Sequence, residues 1–151
     1  MPYSVKVIRT ADFIRLKSAS NKIDINSARA ALRVIGETCR AEGIDRVLID
    51  TRDVTVPLTV PELFFLATSL AETGLPRSVW IAILPGSDRF DRAQFAALCA
   101  ANRGWTIRAV RSFEEAINWF SESDPNQQPE EDESAASSPP VGESAPPGGK
   151  P

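Results

Sequence analysis

The 151-residue chain contains no histidine. That absence removes the usual general base near neutral pH and the commonest transition-metal ligand. Nucleophilic triads built on histidine are therefore excluded. Only two cysteines occur, Cys39 and Cys99, with no Cys-x-x-Cys pair, so a zinc site is excluded in practice. Both lie in apolar, helix-patterned surroundings and are expected to be free buried thiols. No apolar run approaches the roughly 18 residues that a membrane span needs. The first ten residues, MPYSVKVIRT, lack the apolar core of a secretory signal. No P-loop or GxGxxG phrase is present. Together these absences lead us to expect a cytoplasmic, non-enzymatic chain with no cofactor.

What is present is more specific. Residues 46–54 read RVLIDTRDV. Val47, Leu48 and Ile49 run apolar without alternation and end in Asp50. A second run, Val79-Trp80-Ile81-Ala82-Ile83-Leu84, stops at Pro85-Gly86. Strands buried on both faces have this composition, and they belong to parallel sheets covered by helices. Such sheets bind ligands beyond the carboxyl ends of their strands.

The remaining pattern completes an α/β order. Alternation over residues 3–8 and 13–16, with a turn at Thr10-Ala11-Asp12, predicts an antiparallel hairpin. A helix capped by Asn26 or Ser27 runs to about residue 42, with Ala28, Leu32, Ile35 and Cys39 as its buried stripe. Gly43 ends it. After the strand at 46–53, Thr59-Val60-Pro61-Glu62 fits a capping box with proline in the first turn. Leu63, Leu66, Ala67 and Leu70 should face the core, and Gly74-Leu75-Pro76 stops that helix. The strand at 79–84 precedes a helix that runs through Phe95, Leu98 and Cys99 to Gly104. A strand at 106–110 and a helix begun by Ser112 follow, the latter burying Phe113, Ala116, Ile117 and Phe120. The order is ββαβαβαβα, an α/β fold with a mostly parallel sheet, an N-terminal antiparallel hairpin and helices covering the sheet.

Composition changes near residue 121. Seven of the twelve prolines lie at 125, 129, 139, 140, 146, 147 and 151. Beyond residue 121 the only aliphatic side chain larger than alanine is Val141. Residues 122–151 are therefore expected to be a disordered acidic tail after a domain at 1–121. Residues 1–121 carry 13 acids and 16 bases, a net of +3; the tail carries seven acids and Lys150, a net of −6. The two sum to the chain's −3. Solubility is the simplest role for such a tail.

Three phrases, RVLIDTRDV at 46–54, WIAILPGSDRF at 80–90 and NRGWTIRAVRSFEEAINWF at 102–120, taken in this order, resemble the STAS domain of anti-sigma-factor antagonists and sulfate transporters. The phrases resemble in particular the bacterial branch of small STAS/CRAL-TRIO-like proteins. The resemblance covers roughly residues 3–121. It implies a regulatory module with no assigned enzymatic activity. In anti-sigma-factor antagonists a serine at the start of the second helix is a phosphorylation switch, and Thr59 occupies that place here. The Asp-Ser-Ser-Gly phrase of those proteins is replaced by Leu58-Thr59-Val60-Pro61. Thr59 also fits a plain helix N-cap. The lipid-binding CRAL-TRIO likeness implies an apolar or amphipathic small ligand.

Candidate sites follow from residue type and place. Phe64 and Phe65 are adjacent, so one helix stripe cannot absorb both. Val56, Leu58 and Val60 extend that apolar surface into the preceding loop, and such a patch suits a protein partner or a homodimer. A strand-end crevice holding Asp50, Thr51, Asp53, Gly86, Ser87 and Arg89 would suit a small ligand, with Arg92 one turn further on adding a second planar fork for anions. Asp88 opposes an anion there, since it could itself cap the helix. Asp50 is expected to cap backbone N–H groups in the turn after its strand. Trp119 is expected at an edge. Arg29, Arg33 and Arg40 form a solvated helix face, and without interleaved aromatics nucleic-acid binding is discounted.

Overall fold

The computed structural model describes residues 3–8, 11–18 and 20–122. Of the expected disordered tail at 122–151, Glu122 ends the last helix and the rest lies outside the described residues, as does Thr10 of the expected hairpin turn. The chain divides into two units, residues 1–116 and 117–151. Of the second, the described part is the end of the last helix, where the rings of Trp119 and Phe120 lie 5.8 Å apart. Both residues are buried, Trp119 included.

The first unit is a five-stranded sheet with helices. Its strands are β1 (Tyr3–Ile8), β2 (Phe13–Ser18), β3 (Arg46–Thr51), β4 (Trp80–Pro85) and β5 (Thr106–Ala109). Its helices are α1 (Ile25–Glu42), α2 (Val60–Thr68), α3 (Phe90–Ala101) and the start of α4 (Phe113–Glu122). The spatial order is β1-β2-β3-β4-β5. β1 and β2 are antiparallel, and every later pair is parallel. The two long apolar runs are neighbours, with Leu48 opposite Ala82 and Ile49 opposite Ile83.

Strand order dictates where the helices go. Each of the three crossovers steps one strand in the same direction, and right-handed crossovers then place α1, α2 and α3 on one face. The core agrees: Ile14, Val47 and Ile81 of the sheet pack with Leu32 and Ile35 of α1, Ala67 of α2 and Ala100 of α3. The opposite face carries Phe13, Leu48, Ala82 and Leu84, all buried. There the ring of Phe113 packs 5.9 Å from that of Phe13, yet Phe113 stays 43% exposed rather than buried as expected, because it sits at the first position of α4.

Several helix details depart from expectation. Asp24, not Asn26 or Ser27, caps α1: its carboxylate accepts the Ser27 N–H at 2.8 Å and the Ser27 hydroxyl at 3.2 Å. Ser27 is thus a donor inside the first turn, and the acidic acceptor precedes it. Gly43 closes α1 with φ 68°, as expected. α3 buries Ala93, Ala96, Ala97 and Ala100. Phe95 and Leu98 point outward, Leu98 with 60% exposure, and Cys99 is half-buried. The four alanines define the inner stripe because α3 packs closely on β4, β5 and α2, where small side chains let backbones approach. In α2 only Ala67 is fully buried.

Ile35→Ala should lower the unfolding free energy by about 3 kcal/mol, since Ile35 is wholly inaccessible. Leu98→Ser should change it by less than about 0.5 kcal/mol. Urea unfolding monitored by tryptophan fluorescence measures both, and equal losses would place α3 in another register.

Candidate functional site

The loop after β3 shapes the surface of interest. It is pinned to the segment before α1: Ile23 N–H donates to Val56 C=O at 3.0 Å, and the N–H groups of Thr55 and Val56 both donate to Asn21 C=O, at 2.8 and 2.9 Å. This fixed backbone sorts its side chains. Val54 and Leu58 point inward and are buried, Leu58 at 6% exposure, while Val56 points out.

Thr59 then starts α2 with the capping box expected from sequence. Its hydroxyl accepts the Glu62 N–H at 3.3 Å, and the Glu62 carboxylate accepts the Thr59 N–H at 2.9 Å. The same carboxylate lies 3.1 Å from the Thr59 hydroxyl. A phosphate there would meet that negative charge and lose the cap. Thr59→Ala should cost about 1 kcal/mol of stability, measured by thermal unfolding.

α2 is apolar on nearly all sides, which a helix packed on one side only cannot bury. Val60, Phe64 and Phe65 remain outside, the two rings 47% and 49% exposed. The Arg103 guanidinium lies over Phe64 at 5.9 Å and that of Arg29 over Phe65 at 5.3 Å. Phe95 and Leu98 of α3, which packs against α2, are exposed as well. Of the five residues expected to form a partner surface, Val56, Val60, Phe64 and Phe65 are exposed and Leu58 is not.

Leu58 instead roofs a cavity of about 190 Å³ between the sheet and helices α1 to α3. Thr51 and Arg89 of the expected crevice line it. Asp50, Asp53, Gly86 and Ser87 do not. A crevice at a topological switch point requires the strand order to reverse, and here it never does. The hollow therefore lies under the helices, beside the last residues of β3 and β4.

Asp50 projects from the other face of β3, 1% exposed. Its carboxylate accepts four donors: Arg15 Nη2 at 3.0 Å, Arg52 N–H at 3.1 Å, Arg52 Nε at 3.0 Å and Arg52 Nη2 at 2.8 Å. The Arg52 N–H bond is the turn cap expected from sequence; the two guanidinium partners were not legible there. Burial opposes ionisation, but the hydrogen bonds from Arg52 and Arg15 outweigh it and hold the carboxyl down to about 2. Asp53 is exposed and pairs with Lys17 at 3.1 Å. Asp50 and Asp53 thus belong to separate ion pairs, with no shared site.

Asp88 does not cap α3, whose N-terminus has no side-chain cap. Its carboxylate meets Arg89 Nη1 at 3.4 Å. Arg92 Nη1 donates to Leu58 C=O at 2.9 Å and ties α3 to the loop. Burial pushes the Cys39 thiol up to about 11, which makes it inert near neutral pH. Among the described residues no cluster of three or more cysteine or acidic side chains could hold a metal ion, and no helix is long and apolar enough to cross a membrane.

Sequence reasoning missed the cavity. Its signal was the alanine spacing of α1 and α3, Ala28 and Ala31 with Ala93 and Ala96, which all line it. No protein-family model matches the chain, and no curated protein matches it significantly. The fold is α/β with a five-stranded mixed sheet.

Asp50 stabilises the fold only while ionised. Its folded pKa is depressed, so this contribution is complete above the ordinary carboxylate range and is lost as pH falls toward 2. Unfolding free energy should drop by about 2 kcal/mol between pH 5 and pH 2 from this group alone. Asp50→Asn should abolish that step and cost roughly 3 kcal/mol at pH 7 by leaving two guanidinium groups without their carboxylate. Urea titrations at a series of pH values measure both effects.

Proposed function

We propose that the chain is a non-enzymatic regulatory module of the STAS type that binds a protein partner through the loop and start of α2. The observation that carries this is the cluster of exposed apolar side chains, Val56, Val60, Phe64 and Phe65, on a backbone held rigid by the loop's hydrogen bonds and the capping box. Large aromatic residues set in fixed backbone suit partner surfaces, because ordering them on binding costs little further entropy. The β-β-α-β order and the three sequence phrases support the STAS likeness.

Charge favours a partner other than a second copy. Guanidinium groups lie over both exposed rings. A two-fold pairing of this face would bring those cations toward each other. An apolar surface rimmed by carboxylates complements it. The bonds consumed at Asp50 favour a structural role over a catalytic one for the most buried carboxylate, since all of its roughly four lone-pair sites are taken.

Phe65→Asp should abolish partner capture in a pull-down from cell extract and leave thermal stability within about 0.5 kcal/mol of the parent. Equal capture by both forms would overturn the assignment. A dimer seen by native mass spectrometry and lost in Phe65→Asp would transfer the same surface to a second copy of the chain.

A further inference from the structure

We propose that the cavity beneath Leu58 is a binding site for a small monocarboxylic acid, its hydrocarbon body inside and its carboxylate on Arg89 and Arg92. Protein interiors hold few voids larger than a water molecule. Here about 190 Å³ is open against apolar walls from Leu16 and Ile83 of the sheet, Leu32 of α1, and Leu63 and Leu66 of α2. An apolar cavity of about 150 Å³ accommodates benzene, so this one fits a body of about six to eight carbon atoms and is too small for a two-chain lipid.

The hollow follows from residue choice. Ala28 and Ala31 of α1 and Ala93 and Ala96 of α3 stand where leucine or isoleucine would fill the space. The loop above cannot collapse inward, because its backbone is tied to Asn21 and Ile23 and its Leu58 carbonyl is held by Arg92.

The polar end is set by two arginines. The Arg89 side chain is only 15% exposed. Its contacts are long: Nη2 to Thr51 C=O and Nη1 to the Asp88 carboxylate, both at 3.4 Å. Asp88 is itself mostly in water. A largely desolvated guanidinium with contacts at the limit of hydrogen-bond range leaves room for a better anion. Gly86 permits this pose, since a Cβ there would lie 2.9 Å from Arg89 Nη2. Arg92 uses one nitrogen on Leu58 C=O, and its guanidinium carries further donors. A carboxylate bridging the two would close the mouth while its chain displaced only apolar contacts.

This site stands independently of the partner surface, yet the two share one segment. Between residues 54 and 66, Val54, Leu58, Leu63 and Leu66 line the cavity while Val56, Val60, Phe64 and Phe65 face outward. Occupancy would stiffen the outward face from behind.

Titration of the full chain with octanoate, octanol and inorganic phosphate, followed by calorimetry and amide chemical shifts, tests the site. Octanoate should bind and shift the amides of residues lining the cavity. Octanol should bind roughly tenfold more weakly, and phosphate not measurably. Arg89→Gln should weaken octanoate about tenfold and leave octanol unchanged. Ala93→Leu should abolish binding of both, and Ala28→Leu provides the same block from α1 should the first variant misfold. Absence of octanoate binding at millimolar concentration, equal affinity for octanol, or undiminished binding in a folded cavity-filled variant would each overturn the assignment.

Discussion

Three successive crossovers that step the same way across the sheet impose the arrangement on which the rest depends. Right-handedness then leaves no choice of face, and α1, α2 and α3 must share one side. Three helices over a twisted five-stranded sheet cannot all press into it equally. α3 approaches closely through its alanines, while α2 is short and buries only Ala67 completely. The unfilled space and the unburied aromatics are two results of the same geometry. Both occur where α2 leaves the loop after β3.

That loop gives the region its character. A strand-to-helix connection of this length would ordinarily be adaptable. Here three backbone hydrogen bonds to Asn21 and Ile23 and a reciprocal cap at Thr59 and Glu62 hold it. A backbone so constrained fixes which side chains turn inward and which turn outward. Leu58 roofs the cavity and Val56 and Val60 meet solvent, so one short segment serves two surfaces without a separate structural element for each.

The other face is organised by electrostatics. Asp50, one residue before the end of β3, is a buried carboxylate, and Arg15 from the neighbouring strand and Arg52 from the turn converge on it. Removing one charge of such a set is far costlier than never having built it. The set ties β2 to the end of β3 and ends the strand at Thr51, one turn before the loop begins. The rigid loop on the helix side and the ion-pair set on the other share this strand end.

Much of this was legible from residues alone. The two apolar runs defined adjacent covered strands because a strand buried on both faces has no reason to alternate. Thr59, Pro61 and Glu62 announced the start of α2 through local hydrogen-bond chemistry, and Phe64-Phe65 announced an exposed ring, since neighbours on a helix cannot share one stripe. What sequence could not carry were relations between distant segments. Arg15 is 35 residues from Asp50, and nothing local pairs them. The outward turn of Phe95 and Leu98 depended on how near α3 approaches β4 and β5. Leu58 looks like any loop apolar residue until the bonds to Asn21 orient it inward. Local patterns determined the elements and their order, because periodicity and capping act within a few residues; packing alone decided the cavity and the pairing of charges, because both arise from contacts that only the assembled sheet brings together.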